Sequence, residues 1–213
     1  MLLRLRLLSA QSQYVQQSGS PYQKQIVSLQ LITILWMCAE AFVATFSAFR
    51  ARSVALLGFG ADSGIEFVSA FVVFLRFKNI AQVNEKRASR ITGLLLFALA
   101  AFILSGSILA FTNPGFRPQP SYLGIALLIV AAIVMPWLSS QKRTLAAKTN
   151  SGSLKADAVQ SSMCAYLALI ALGGLVLNAM FNISWADPSA ALLLVPIILR
   201  EGWEAMKGKA GCD

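Results

Sequence analysis

A chain of 213 residues that is 57% hydrophobic and only 13% charged is too apolar for a soluble domain, in which roughly a quarter of residues carry charge. Its mean hydropathy of +0.66 suits an all-α polytopic membrane protein, one membrane domain with little room for a soluble one. The net charge of +9 is accounted for by basic loops on one side of a bilayer, which leaves no case for nucleic acid, and the lack of any histidine removes His-based zinc sites, general bases and pH sensors.

The chain opens on the basic, apolar run Met1-Leu2-Leu3-Arg4-Leu5-Arg6-Leu7-Leu8, too short for a signal core, so residues 1–24 read as a partly disordered cytoplasmic tail. Six apolar segments follow, over residues 25–49, 53–77, 91–112, 122–138, 154–181 and 185–198. The breaks between them carry turn chemistry: Pro114, Gly115, Pro118 and Pro120 after the third, a polar turn over 148–153 after the fourth, and Asp187-Pro188 to open the sixth. Residues 25–204 thus form a transmembrane domain and 205–213 a short tail. With the N-terminus in the cytoplasm, fifteen of the eighteen basic residues face inward and only Arg50, Arg52 and Arg117 face outward. That bias predicts six transmembrane helices with both termini inside. Cys38, Cys164 and Cys212 make neither a CxxC motif nor an even set, so no disulfide framework is expected.

The second segment is the unusual one. Asp62 and Glu66 lie inside an apolar run from Val54 to Leu75. An acidic side chain at membrane depth costs roughly 2.5–3.5 kcal/mol on insertion scales, so two of them need compensation. Four residues apart, they share a helix face at about 5.4–6 Å, close enough to clamp one cation or share one proton. Gly58, Gly60, Ala61, Ser63 and Gly64 around them would let a neighbouring helix approach closely. In the fifth segment Asp157, Gln160, Ser161 and Cys164 follow i, i+3, i+4, i+7 spacing and so form a polar stripe, which must face another helix or water. Interhelical glue is one reading of it, and a ligand site shared with Asp62 and Glu66 is the other. Glu40 is open between substrate binding and a neutral acid bonded to a neighbouring helix, whereas Asp187 suits a turn or an N-cap. Glu85, Glu201, Glu204 and Asp213 read as solvated.

These residues carry a family resemblance. The stretch from Ser53 to Glu66 resembles the second helix of the cation diffusion facilitators, divalent-metal/proton antiporters that carry Asp-Ser-x-x-Asp there. Ala156-Asp157-Ala158-Val159-Gln160 with Cys164 is similar to their fifth-helix Ala-Asp-x-x-His-x-x-x-Asp element, and Trp185-Ala186-Asp187-Pro188 to the opening of their sixth helix. The resemblance implies that the four metal ligands fall on Asp62, Glu66, Gln160 and Cys164, of which the last three depart from the family pattern. Asp157, one turn from Gln160, is a further candidate ligand, and Ser161 and Glu40 are candidates for proton handling or outer contacts. The resemblance also implies a homodimer, and the chain is expected to lack the cytoplasmic metallochaperone-like domain common in the family.

Mixed carboxylate, amide and thiol donors favour Zn2+, with Co2+, Cd2+, Mn2+ and Fe2+ as other candidate cargo and no tightly bound cofactor. The expected activity is proton-coupled efflux of zinc across the cell (inner) membrane: charge at that depth is costly, so the empty site holds protons that a metal displaces. Two rivals remain, a non-transporting membrane sensor or assembly protein and an organic-cation/proton antiporter. An enzyme is not expected, since the chain shows no nucleophile–base pair and no HExxH.

Overall fold

The computed structural model describes residues 22–77 and 85–207. Among them the chain forms six long helices and no strand: α1 (Gln23–Ala51), α2 (Val54–Phe77), α3 (Glu85–Thr112), α4 (Tyr122–Thr149), α5 (Gly152–Phe181) and α6 (Ala186–Met206), with a single 3-10 turn at Pro114–Phe116. Most of the tail expected at 1–24 and of that at 205–213 lies outside the described residues. An apolar chain with no water at hand must satisfy its backbone within each segment, which the helix does. Stretches within Gln23–Ala51, Arg90–Thr112, Tyr122–Thr149 and Leu154–Phe181 are long and apolar enough to cross a membrane. The acid-bearing helices α2 and α6 pack among them.

The helix ends are set by local chemistry. Arg52, Asn150 and Asn182 stop α1, α4 and α5 in the left-handed conformation, at φ of 54°, 48° and 54°. Asparagine tolerates that region better than most side chains. Serines then restart the chain: the Oγ atoms of Ser53, Ser121 and Ser151 accept from the backbone N–H of Leu56, Gly124 and Leu154 at 3.0, 3.2 and 3.4 Å. Helix α4 runs on from Leu138 to Thr149, about three turns beyond its apolar segment. The polar turn expected over 148–153 shrinks to Asn150 and Ser151, because a left-handed Asn followed by a Ser cap reverses the chain in two residues.

Alternate connections gather at opposite ends of the bundle. Gln119 N–H donates to Ala51 O at 2.7 Å, Arg52 donates to Gly115 O, and Asn178 Nδ2 donates to Pro118 O at 3.2 Å. The turns after α1, α3 and α5 therefore share one end, and Arg50, Arg52 and Arg117 lie there together. At the other end the Lys148 ammonium stands 5.3 Å from the centre of the Tyr22 ring, which joins the start of α1 to the end of α4.

Helix α2 is the central element, packing on α1, α3, α5 and α6. Small residues set the closest approaches. A Cβ on Gly60 would lie 3.1 Å from Thr45 N on α1, one on Gly93 would lie 2.8 Å from Gly202 O on α6, and one on Gly174 would lie 2.5 Å from Ala190 Cβ. Gly64 departs from the expectation for this stretch: a Cβ there would meet nothing within 4 Å, so it mediates no tight approach among the described residues.

Asp187 fixes where α2 begins. It is buried, and although it stands in the first turn of α6 it caps a different helix. Its Oδ1 accepts from Val54 N–H at 3.0 Å and from Ala55 N–H at 3.4 Å, and its Oδ2 accepts from Ser53 Oγ. A carboxylate on otherwise orphaned N-terminal amides is favoured by hydrogen bonding and by the helix dipole. Replacing Asp187 by Ala should lower stability by about 1–3 kcal/mol, read as a lower thermal midpoint of the detergent-purified protein; an unchanged midpoint would show that the cap is dispensable.

Candidate functional site

The site is built where three buried polar faces meet. On α1 the inward stripe contains Gln30, Thr33, Met37, Glu40, Ala44 and Ser47, so Glu40 faces the core at helical spacing. On α2 Asp62, Ser63 and Glu66 are buried, and on α5 so are Asp157, Ser161 and Cys164, with Gln160 half-buried beside them. The stripe predicted on α5 therefore faces inward, and α2 and α5 pack against each other.

The acids of α1 and α2 lie within electrostatic reach of one another. Glu40 is repelled by Glu66 and Asp62, and Asp62 by Glu66. Glu66 stands beside Ser161 and Cys164 of α5, is attracted by Lys142 and is repelled by Asp157. Cys164 Sγ is 3.9 Å from Glu40 Oε1, a long S–H···O contact joining α5 to α1. Many of these oxygens are nonetheless orphaned. Among the described residues, Glu40 Oε2, Asp62 Oδ1 and both carboxylate oxygens of Glu66 are buried without a hydrogen-bond partner, as is Trp36 Nε1 one turn before Glu40. A buried acceptor left open costs about 1–3 kcal/mol. Such a cluster persists where a proton, a water or a cation satisfies it in function.

Asp157 has a different environment. Its Oδ2 accepts from Lys142 Nζ at 2.9 Å and from Gln30 Nε2 at 2.7 Å, while Oδ1 is buried without a partner among the described residues. Lys142 is 0% exposed and also donates to Ser161 Oγ at 2.8 Å. By sequence this lysine reads as a loop charge; the structure buries it, because α4 continues past Leu138 and keeps Ser139, Lys142, Leu145 and Ala146 on the core face. Around it Ser139 Oγ donates to Ala158 O at 2.7 Å and Arg143 Nη2 donates to Ser162 Oγ at 2.8 Å, which laces α4 to α5.

Two further residues escape a sequence reading. Gln30 is fully buried, and only its register with Thr33, Met37 and Glu40 betrays that it faces inward. Glu201, expected to be solvated, is half-buried: its Oε2 has no partner among the described residues, and it is repelled by Asp62 and Glu66 from the α6 side. The physical reason is that α6 extends to Met206 and packs on α2, so its last turns are not free in water.

Among the described residues, no three Cys, Asp or Glu side chains are gathered tightly enough to hold a metal ion. The arrangement is a set of sequestered carboxylates facing a thiol and hydroxyls.

A family model described as the cation efflux transmembrane domain matches residues 30–209. A cadmium, cobalt and zinc/H(+)-K(+) antiporter of Bacillus velezensis is 22% identical over 193 residues, an alignment covering 83% of this chain and 59% of that protein. The chain thus spans well under two thirds of the length of that relative.

Because Asp62 is buried with an unpartnered oxygen among carboxylates that repel it, its charge is a structural liability. Asp62→Asn should raise the thermal midpoint, by an amount equivalent to about 1 kcal/mol or more. A lowered midpoint would mean that the carboxylate stabilises the resting fold.

Proposed function

The chain belongs to the cation efflux transmembrane-domain family, and from that premise we propose that it moves divalent metal ions, zinc foremost, across a membrane in exchange for protons. The observation that carries this reading is the convergence of Glu40, Asp62 and Glu66, with their orphaned oxygens, on Ser161 and Cys164 of α5. The metal is held by Asp62 and Glu66, with Cys164 and Gln160 completing a mixed shell. Two carboxylates neutralise one doubly charged ion, and the thiol tilts the preference from Mg2+ and Mn2+ toward Zn2+, Cd2+ and Co2+. The cadmium, cobalt and zinc in the name of the B. velezensis relative fit that donor set.

With no histidine in the chain, protons ride on the carboxylates. Metal entering the site displaces them, and protons arriving from the other side displace the metal. Rocking of helices about the central α2 exposes the site alternately to each side, the general plan of transporters with polar groups at mid-bilayer. Both termini lie in the cytoplasm in this reading, since the three basic residues at the end of the bundle shared by the turns after α1, α3 and α5 are far fewer than those elsewhere. A homodimer in the cell membrane completes the proposal.

Asp62→Ala should reduce metal-dependent flux in proteoliposomes to the level of empty vesicles, measured with a zinc-sensitive dye inside. Zinc flux equal to that of the unmodified protein would reject the site.

A further inference from the structure

Lys142 is the one fully buried cation among the described residues, and it lies within electrostatic reach of Glu66, one of the two acids just assigned to the metal. Burying a lone ammonium in an apolar bundle is prohibitive, so a partner is obligatory. Asp157 supplies it at 2.9 Å, and Gln30 from α1 steadies the same oxygen at 2.7 Å. The ammonium also donates to Ser161, the α5 residue beside Glu66. One small network therefore ties α1, α4 and α5 together one turn along α5 from the proposed ligands. Charge matters more here than geometry alone. Lys142 and Asp157 cancel, so of the carboxylates on α2 and α5 only Asp62 and Glu66 keep an unpaired charge, with Glu40 facing them from α1. One more free carboxylate would bind the ion more tightly, and a transporter must also let it go.

We infer that Lys142 is a positioning residue for the transported ion: it holds Asp157 out of the coordination shell and offsets its charge, so that α2 and α5 offer the ion two carboxylates instead of three. The inference rests on the metal-site reading above. It takes Asp157 out of the ligand set and makes Lys142 a determinant of affinity.

The test is calorimetric titration of the full chain in detergent with Zn2+ alone, at one pH, for Lys142→Met, Asp157→Asn, the double variant and Asp62→Ala. Lys142→Met frees Asp157 and should bind zinc at least about threefold more tightly, whereas Asp157→Asn leaves an unpaired ammonium beside the site and should bind at least about tenfold more weakly. The double variant has no unpaired charge and should return to within about threefold of the unmodified protein. A merely structural pair would move both single variants in the same direction. If the single variants fail to fold, the charge-neutral double decides alone. A double variant with affinity as weak as that expected for Asp157→Asn makes Asp157 a ligand and overturns the inference; so does weaker zinc binding by Lys142→Met. Asp62→Ala separates the two claims. If it binds zinc as the unmodified protein does, the metal-site reading itself falls; if it loses zinc while the double variant stays weak, only the role of Lys142 falls.

Discussion

Like charges buried together dominate this molecule. Glu40, Asp62 and Glu66 repel one another at the centre of a helical bundle, with several of their oxygens unsatisfied. A fold selected for stability alone would replace them with apolar side chains, since buried ionic groups seldom repay their desolvation. Their retention at helical spacing on two adjoining helices makes sense if the cluster exchanges a bound proton for a bound cation. The same repulsion that makes the empty site costly makes it responsive to a doubly charged ion.

The scaffold holds the acids in place by other means. Asp187 of α6 caps the N-terminus of α2, which sets the axial position of Asp62 and Glu66 relative to α6. Gly60 lets α2 lie against the backbone of α1 at Thr45, and Gly93 does the same for α3 against α6 at Gly202. The α4–α5 hairpin is bound internally by Ser139, Lys142 and Arg143. The closest packing thus joins α1 to α2, α3 to α6 and α4 to α5.

The architecture was legible because hydropathy reports it directly: every apolar segment became a helix, and the Asn, Ser and Pro/Gly breaks fell between them. The inward face of α5 was legible too, since Asp157, Ser161 and Cys164 recur at a helical period. Lys142 was not. A hydropathy window sees a lysine beside an arginine and ends the segment, whereas the helix and its buried face continue through it. The signal was the recurrence of Met135, Leu138, Lys142 and Leu145, a core stripe whose third member is charged. Glu201 was missed for the same reason, and Gln30 because its one signal is a register shared with Thr33, Met37 and Glu40 along a helix that is apolar on most sides. In each case the missing information was tertiary: which neighbour waits on the other side.

The central claim is that acids of α2 and the polar face of α5 close on one divalent ion. X-ray absorption at the zinc edge, on full-length protein loaded with one equivalent of Zn2+, tests it most directly. The account predicts a four-donor shell of oxygens at about 2.0–2.2 Å with one sulfur at about 2.3 Å, the sulfur disappearing in Cys164→Ser. A shell of oxygens alone that is unaltered by that substitution, or zinc that washes away, would contradict it.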